Sequence, residues 1–298
     1  MLRILFLAAC AAISFYLSTF LINFYSPLLM VGIRGILSGS LIFILQYRLD
    51  KKIRLEFIKY KLQYSFALIF GFFVPLVVQS FILDKLPPVE MAIISSTEPI
   101  LIYTLAYLFF KERLAKKQVF FLILGSFLAF VAIILEAGAD RITLISWHEP
   151  ILVTIIMLTG IGWLTITRLV CKLNQSEDLI TATGFLTTGI MAILLSIHLE
   201  NLRCSFQPVP VILFITLIVF GDLVATRMRV RLAKSYTQTM LALMNIFSPF
   251  VIAIHEMIFH DRQYSPNFFM LIVPSIMCFI VFYLIERKYH NELLKKQV

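Results

Sequence analysis

Residues 88–117 read PVEMAIISSTEPILIYTLAYLFFKERLAKK. The run 88–110 is long and apolar enough to cross a bilayer, since a helix needs roughly 20 such residues for about 30 Å of hydrocarbon. It stops at a basic end, Lys111, Arg113, Lys116 and Lys117. Working outward, the same alternation of apolar run and charged gap recurs along the whole chain. Ten spans are expected, near 2–22, 27–47, 62–83, 88–110, 117–136, 150–171, 178–198, 209–230, 235–259 and 267–286. The longest gap, Arg48 to Lys61, is too short for a soluble domain. The functional machinery is therefore expected within the membrane.

Composition agrees. Of 298 residues, 60% are apolar and 14% charged, against about 45–50% and 25% in soluble domains. This excludes a soluble enzyme or regulator, a disordered chain, a collagen and a disulfide scaffold. A net charge of +9 could suit nucleic acid, but the charges lie in short runs between apolar stretches. They fit a membrane surface, and no nucleic-acid partner is expected. Cys10, Cys171, Cys204 and Cys278 are far apart and form no CxxC or Cys/His pattern, so neither metal nor disulfides are indicated. Leu7-Ala8-Ala9-Cys10 looks like a lipoprotein cleavage box, but the apolar run before it is too short and continues to Ile22.

Of the 26 Lys and Arg, 21 fall at the amino end, in the tail, or in the gaps after spans 2, 4, 6 and 8. The alternate gaps hold only Lys85, Arg141, Arg203 and Arg262, and Arg34 lies inside span 2. Cytoplasmic loops collect Lys and Arg, so both termini are expected in the cytoplasm.

A shift of 150 residues aligns the two halves. Phe70-Gly71 falls on Phe220-Gly221, Ala92 on Ala242 and Pro99 on Pro249. Each half holds five spans, and an odd number turns the second half over. The charges agree: the gap between spans 3 and 4 has Lys85 only, while its counterpart between spans 8 and 9 is basic. The expected fold is an all-α integral membrane protein of ten helices, built as two inverted five-helix repeats, a common transporter architecture. The expected domains are residues 1–149 (spans 1–5) and 150–298 (spans 6–10 and a short cytoplasmic tail).

Ser96-Thr97-Glu98-Pro99, the apolar run to Phe110 and Lys111-Glu112-Arg113-Leu114 resemble the EamA repeat of the drug/metabolite transporter superfamily. That repeat has Glu-Pro in its fourth span and a Gly-Glu-Arg-Leu-like end; Lys111 stands in place of the Gly. Ser26-Pro27 to Arg34 and Trp163 to Arg168 are similar to the family's second and sixth spans. The second half departs from the pattern, with Ser248-Pro249 and His260-Asp261-Arg262. The resemblance implies a ten-helix bundle with a central cavity lined by spans 1–4 and 6–9, spans 5 and 10 being peripheral.

A charge at mid-membrane costs about 2.5–3.5 kcal/mol on insertion scales, so Arg34, Glu98 and Asp222 need explaining. Arg34 and Glu98 are expected to pair, either to fix helix packing or as a site. In the second case Arg34 receives a substrate carboxylate or phosphate, or Glu98 or Asp222 carries a coupling proton. Asp222 either bonds locally to Thr226 or lines a cavity. Gln79, Trp163 and Asn245 complete the candidate substrate-binding or coupling set, Trp163 as an aromatic wall. No catalytic or metal-binding residues and no cofactor are expected. GxxxxGK[ST] does not occur, and His255 and His260 are five apart, so their directions differ by about 140° on a helix.

The expected function is a secondary transporter of small metabolites, proton-coupled or exchanging, in a bacterial inner membrane. The resemblance implies amino acids or related compounds, including nucleoside-bearing, S-adenosylmethionine-like sulfonium compounds. The alternative is an integral-membrane enzyme acting on a lipid-linked substrate. The expected partners are the bilayer and the substrate. A homodimer is compatible with this reading, although no span is read as showing a clear GxxxG face.

Overall fold

The computed structural model describes residues 2–47, 61–85, 88–137, 148–171, 173, 176–244, 247, 250, 253–254, 257 and 263–295. Among the described residues there are ten helical stretches and no strand. They are α1 (Leu2–Leu21), α2 (Pro27–Tyr47), α3 (61–85), α4 (Pro88–Phe110) and α5 (Lys116–Ala137). The second half has α6 (His148–Cys171), α7 (Glu177–Leu199), α8 (208–232), α9 (Gln238–Leu243) and α10 (Pro266–Lys295). Seven of these, α1, α2, α3, α5, α7, α8 and α10, carry windows long and apolar enough to cross a membrane. Shorter apolar stretches lie in α4 (Thr97–Phe109) and α6 (Met157–Cys171). Much of the expected ninth span, including Asn245, Ser248, Pro249 and His255, lies outside the described residues, as does His260 just after it.

Two helices are not uniform. α3 passes through a π-helical segment, Ile69–Phe73, and α8 through another, Ile218–Thr226. Pro75 follows the first. Proline lacks the donor for an i→i−4 bond and its ring crowds the preceding turn, and a widened turn is one way a helix absorbs this.

The chain forms two compact units, and each takes helices from both halves of the sequence. One comprises 10–88 and 154–235, the other 1–9, 89–153 and 236–298. The packing units thus divide the chain differently from the expected domains 1–149 and 150–298.

In the first unit α2 packs along α7. The crossing is made by small residues, which let backbones approach and gain dispersion contacts where lipid supplies no hydrophobic drive. A Cβ on Gly35 would lie 2.7 Å from the Phe185 carbonyl oxygen, and one on Gly189 2.5 Å from the Ile36 nitrogen. Gly35 and Gly39 form a GxxxG pair, so the expectation of no such face is corrected: the chain uses it internally, against α7. Both ends of α7 are tied, one to α2 and the other to α8. At one, the Glu200 carboxylate accepts the backbone N–H groups of Leu28 (2.9 Å) and Leu29 (3.3 Å) at the start of α2. At the other, Asp178 holds Arg227 and Arg231, and Glu177 holds Lys234.

In the second unit α5 packs along α10. The Ser275 hydroxyl donates to the Gly125 carbonyl at 2.7 Å, between residues 150 apart. Glu136 accepts the Ser265 N–H and O–H at the start of α10, at 3.1 and 2.8 Å. Glu286 does the same for Thr237, just before α9, at 2.7 Å from its N–H and 3.1 Å from its O–H. Unpaired N–H groups at helix starts favour such carboxylate partners.

Candidate functional site

Arg34 is the eighth residue of α2, on a helix with no other charge. Its guanidinium is buried and must find an acceptor there. It finds Asp222, which is fully buried in the π-helical part of α8. Nε lies 2.9 Å from Oδ1 and 2.8 Å from Oδ2, and Nη2 lies 2.6 Å from Oδ1. Ser38, one turn further along α2, donates its hydroxyl to Oδ2 at 2.7 Å. Ser14 Oγ stands 3.5 Å from Nη2. Charge-assisted, two-pronged pairing of this kind is the strong form of a side-chain hydrogen bond. Asp222 accepts every hydrogen bond it makes here, from Arg34 and from Ser38.

The neighbouring glycine makes room. A Cβ on Gly221 would collide with Ser14 Oγ and come 3.1 Å from Arg34 Nη2. Asp222 and Thr226 do not bond to each other as one sequence reading had it; the Thr226 hydroxyl donates to the Gly221 carbonyl, a fit to the wider π turn. Arg34 Nη1 makes no hydrogen bond among the described residues, and the side chain keeps 8% of its surface accessible. The site is therefore a neutralised ion pair with spare donors on its guanidinium.

The expected Arg34–Glu98 pair is replaced by Arg34–Asp222. Glu98 is half-buried on α4, directly before Pro99 inside that helix. Gln79 lies on α3, but its side chain, like the whole of Asn245, falls outside what is described. Trp163 is buried on α6. Its ring carries the Arg229 guanidinium 4.2 Å from its centroid and stands 5.9 Å from the ring of Phe72. It packs as a core residue and binds a cation on its face.

Shifting the ion-pair site by 150 residues explains what the sequence reading missed. Arg34 maps to Gly184, Ser38 to Thr188, and Asp222 back to Phe72. In the structure Gly184 and Phe72 also meet: a Cβ on Gly184 would lie 2.5 Å from the Phe72 ring. Thr188 is fully buried, and its hydroxyl has no hydrogen-bond partner among the described residues. Under the shift, a polar contact and an apolar one fall on corresponding positions. The signal available in sequence was that both lone charges have uncharged images of complementary size.

Glu112 and Lys111 mark the end of α4. Lys111 has φ of 55°, the left-handed conformation that favours glycine, at the position where the EamA-like motif has Gly. The Glu112 N–H then closes the helix on the Ala106 carbonyl at 3.0 Å. The Glu112 carboxylate accepts the Thr239 hydroxyl at 2.9 Å. Burial pushes the Glu112 carboxyl above the ordinary range, with the Thr239 hydrogen bond opposing it. Among the described residues no three His, Cys, Asp or Glu side chains are grouped to hold a metal ion.

These features define a multi-pass, all-helical membrane protein with a buried ion pair. Residues 1–136 match the EamA-like transporter family, a family of the drug/metabolite transporter superfamily. Its members are transporters rather than enzymes. No curated protein matches the chain. A solved structure described as "Crystal structure of protein" aligns with a TM-score of 0.74 and 15% identity, over 96% of this chain and 97% of that one. At that identity the likeness shows the fold alone.

Proposed function

We propose that this chain is a secondary transporter of small carboxylate-bearing metabolites, with Arg34 and Asp222 at its substrate site. Residues 1–149 and 150–298 act as inverted repeats that expose the site to each side in turn. The observation that carries this reading is the ion pair and its apolar image. Burying two charges is costly, and well-packed apolar groups often serve stability as well or better. The chain itself uses that cheaper solution at Gly184 and Phe72. A polar version kept at the equivalent place is then kept for chemistry.

The chemistry follows from the spare Nη1 donors. A planar guanidinium suits a carboxylate or phosphate. A substrate carboxylate that draws Arg34 away leaves Asp222 buried without its counter-ion, which favours protonation. Substrate binding and proton uptake would then be linked at one pair, and Asp222 rather than Glu98 becomes the coupling candidate. Exchange of two anionic substrates uses the same pair without the proton. Amino acids and related compounds, S-adenosylmethionine-like ones included, carry the required carboxylate. The repeat reading is supported by the π segments at 69–73 and 218–226, the Gly125–Ser275 contact and the reversed charge bias. The same charge bias supports a reading with both termini in the cytoplasm and a bacterial inner membrane as the host bilayer.

The test is uptake into proteoliposomes against a panel of labelled metabolites, with and without a pH gradient. Wild-type protein should accumulate a carboxylate-bearing member. D222N should lose at least about tenfold, because an unpartnered buried charge costs about 3–5 kcal/mol. The swap R34D/D222R should recover folded yield but not transport. No accumulation of any member by folded wild-type protein would refute the reading, and wild-type transport by the swap would reduce the pair to a structural one.

A further inference from the structure

A groove of about 620 Å³ lies between α5 and α10, lined by Lys116, Lys117, Phe120, Phe121, Val281 and Ile285. It belongs to one unit and is separate from the ion pair. Its two parts differ in chemistry. Lys116 and Lys117 open α5 and are exposed. Phe120 and Phe121 follow one turn deeper, and Val281 and Ile285 supply the facing wall from α10.

The depth of each part follows from helix geometry. α5 has 22 residues, which rise about 33 Å and so just cross about 30 Å of hydrocarbon. Its first turn therefore lies at head-group level, and the next turn lies among the upper acyl carbons. The outer face of α5 is apolar and exposed at Phe120, Ile123 and Phe127, as a lipid-facing surface is. No carboxylate lines the groove. Among the described residues neither lysine makes an ion pair, and the two ammonium groups stand above an apolar floor.

We propose that this groove is a binding site for an anionic phospholipid. The lipid phosphate lies between Lys116 and Lys117, and an acyl chain runs over Phe120, Phe121, Val281 and Ile285. A zwitterionic lipid brings a choline ammonium to the same two lysines and is disfavoured. The Lys-rich end of α5 places the site in the cytoplasmic leaflet, whose anionic lipids attract basic segments near the surface. The proposal needs the membrane placement of α5 and α10 and is independent of any substrate.

The experiment is native mass spectrometry of the purified, delipidated full chain, titrated with phosphatidylglycerol or phosphatidylcholine. Wild-type protein should retain phosphatidylglycerol preferentially. K116E/K117E should weaken that retention about tenfold or more, from the contribution expected of two basic groups at a lipid surface. V281W, which fills the floor and keeps both lysines, should weaken it as well. K61E, a charge reversal at the start of α3, should leave it unchanged. Equal retention of the two lipids by wild-type protein would overturn the proposal. So would a preference that survives K116E/K117E or V281W, or one that falls equally in K61E. Displacement of the lipid by inorganic phosphate as fully as by free phosphatidylglycerol would reduce the groove to a bare anion contact and overturn it too.

Discussion

Lys111 carries a backbone conformation that its side chain resists. A left-handed residue with a Cβ costs about 1–2 kcal/mol, part of which glycine returns through its larger unfolded-state entropy. K111G should therefore stabilise the protein by about 0.5–1 kcal/mol, read as a higher melting temperature in detergent. A lower melting temperature would show that the Lys111 side chain contributes something the backbone argument omits. The position was legible in sequence as a departure from a Gly-Glu-Arg-Leu-like end, and the structure supplies its physical reason. Arg34 and Asp222 were legible one at a time, because a lone charge in an apolar run stands out. Their pairing was not, since the partner lies 188 residues away and sequence distance says nothing about which buried charge meets which. Glu98 lies in the same half of the chain as Arg34, yet it is Asp222 that Arg34 meets.

At the scale of the helix, the α2–α7 crossing brings backbone against backbone. The α2 backbone lies directly against Gly189, with the Ile36 nitrogen 2.5 Å and the Gly32 carbonyl 2.9 Å from a would-be Cβ. Side chains can turn away from an intruder, but backbone cannot. G189L should cost about 3 kcal/mol, the upper part of the usual overpacking range, and lower the yield of monodisperse protein on size exclusion. I190L, on an exposed neighbour, is the control and should behave as wild type. Normal yield of G189L would contradict the packing described. Helix number and most boundaries could be read from apolar runs and basic gaps, because hydrocarbon thickness sets both. The π segments could not. Their cause is local, a proline at 75 in one case and the seating of Asp222 beside Gly221 in the other, and neither disturbs the hydropathy pattern.

For the whole molecule, two divisions coexist. Contacts group α2, α3, α7 and α8 in one unit and α4, α5, α9 and α10 in the other, while the 150-residue shift relates the first half of the chain to the second. The alignment of the two halves carries the second division and says nothing of the first, because packing between helices far apart in the chain leaves no boundary in the sequence. Helix starts follow the shift: Pro27 and Glu177, Pro88 and Gln238, Lys116 and Pro266. What remains to be tested is whether the halves are upside down relative to each other, since alternating access by repeat exchange requires it. Lys85, at the end of α3, and Ser235, in the turn after α8, are equivalent positions under the shift. Single-cysteine variants at these positions, K85C and S235C, on a background lacking the four native cysteines, can be labelled in intact cells with a membrane-impermeant maleimide. Inverted repeats predict that K85C labels from outside and S235C only after permeabilisation; labelling of both from the same side would contradict the account.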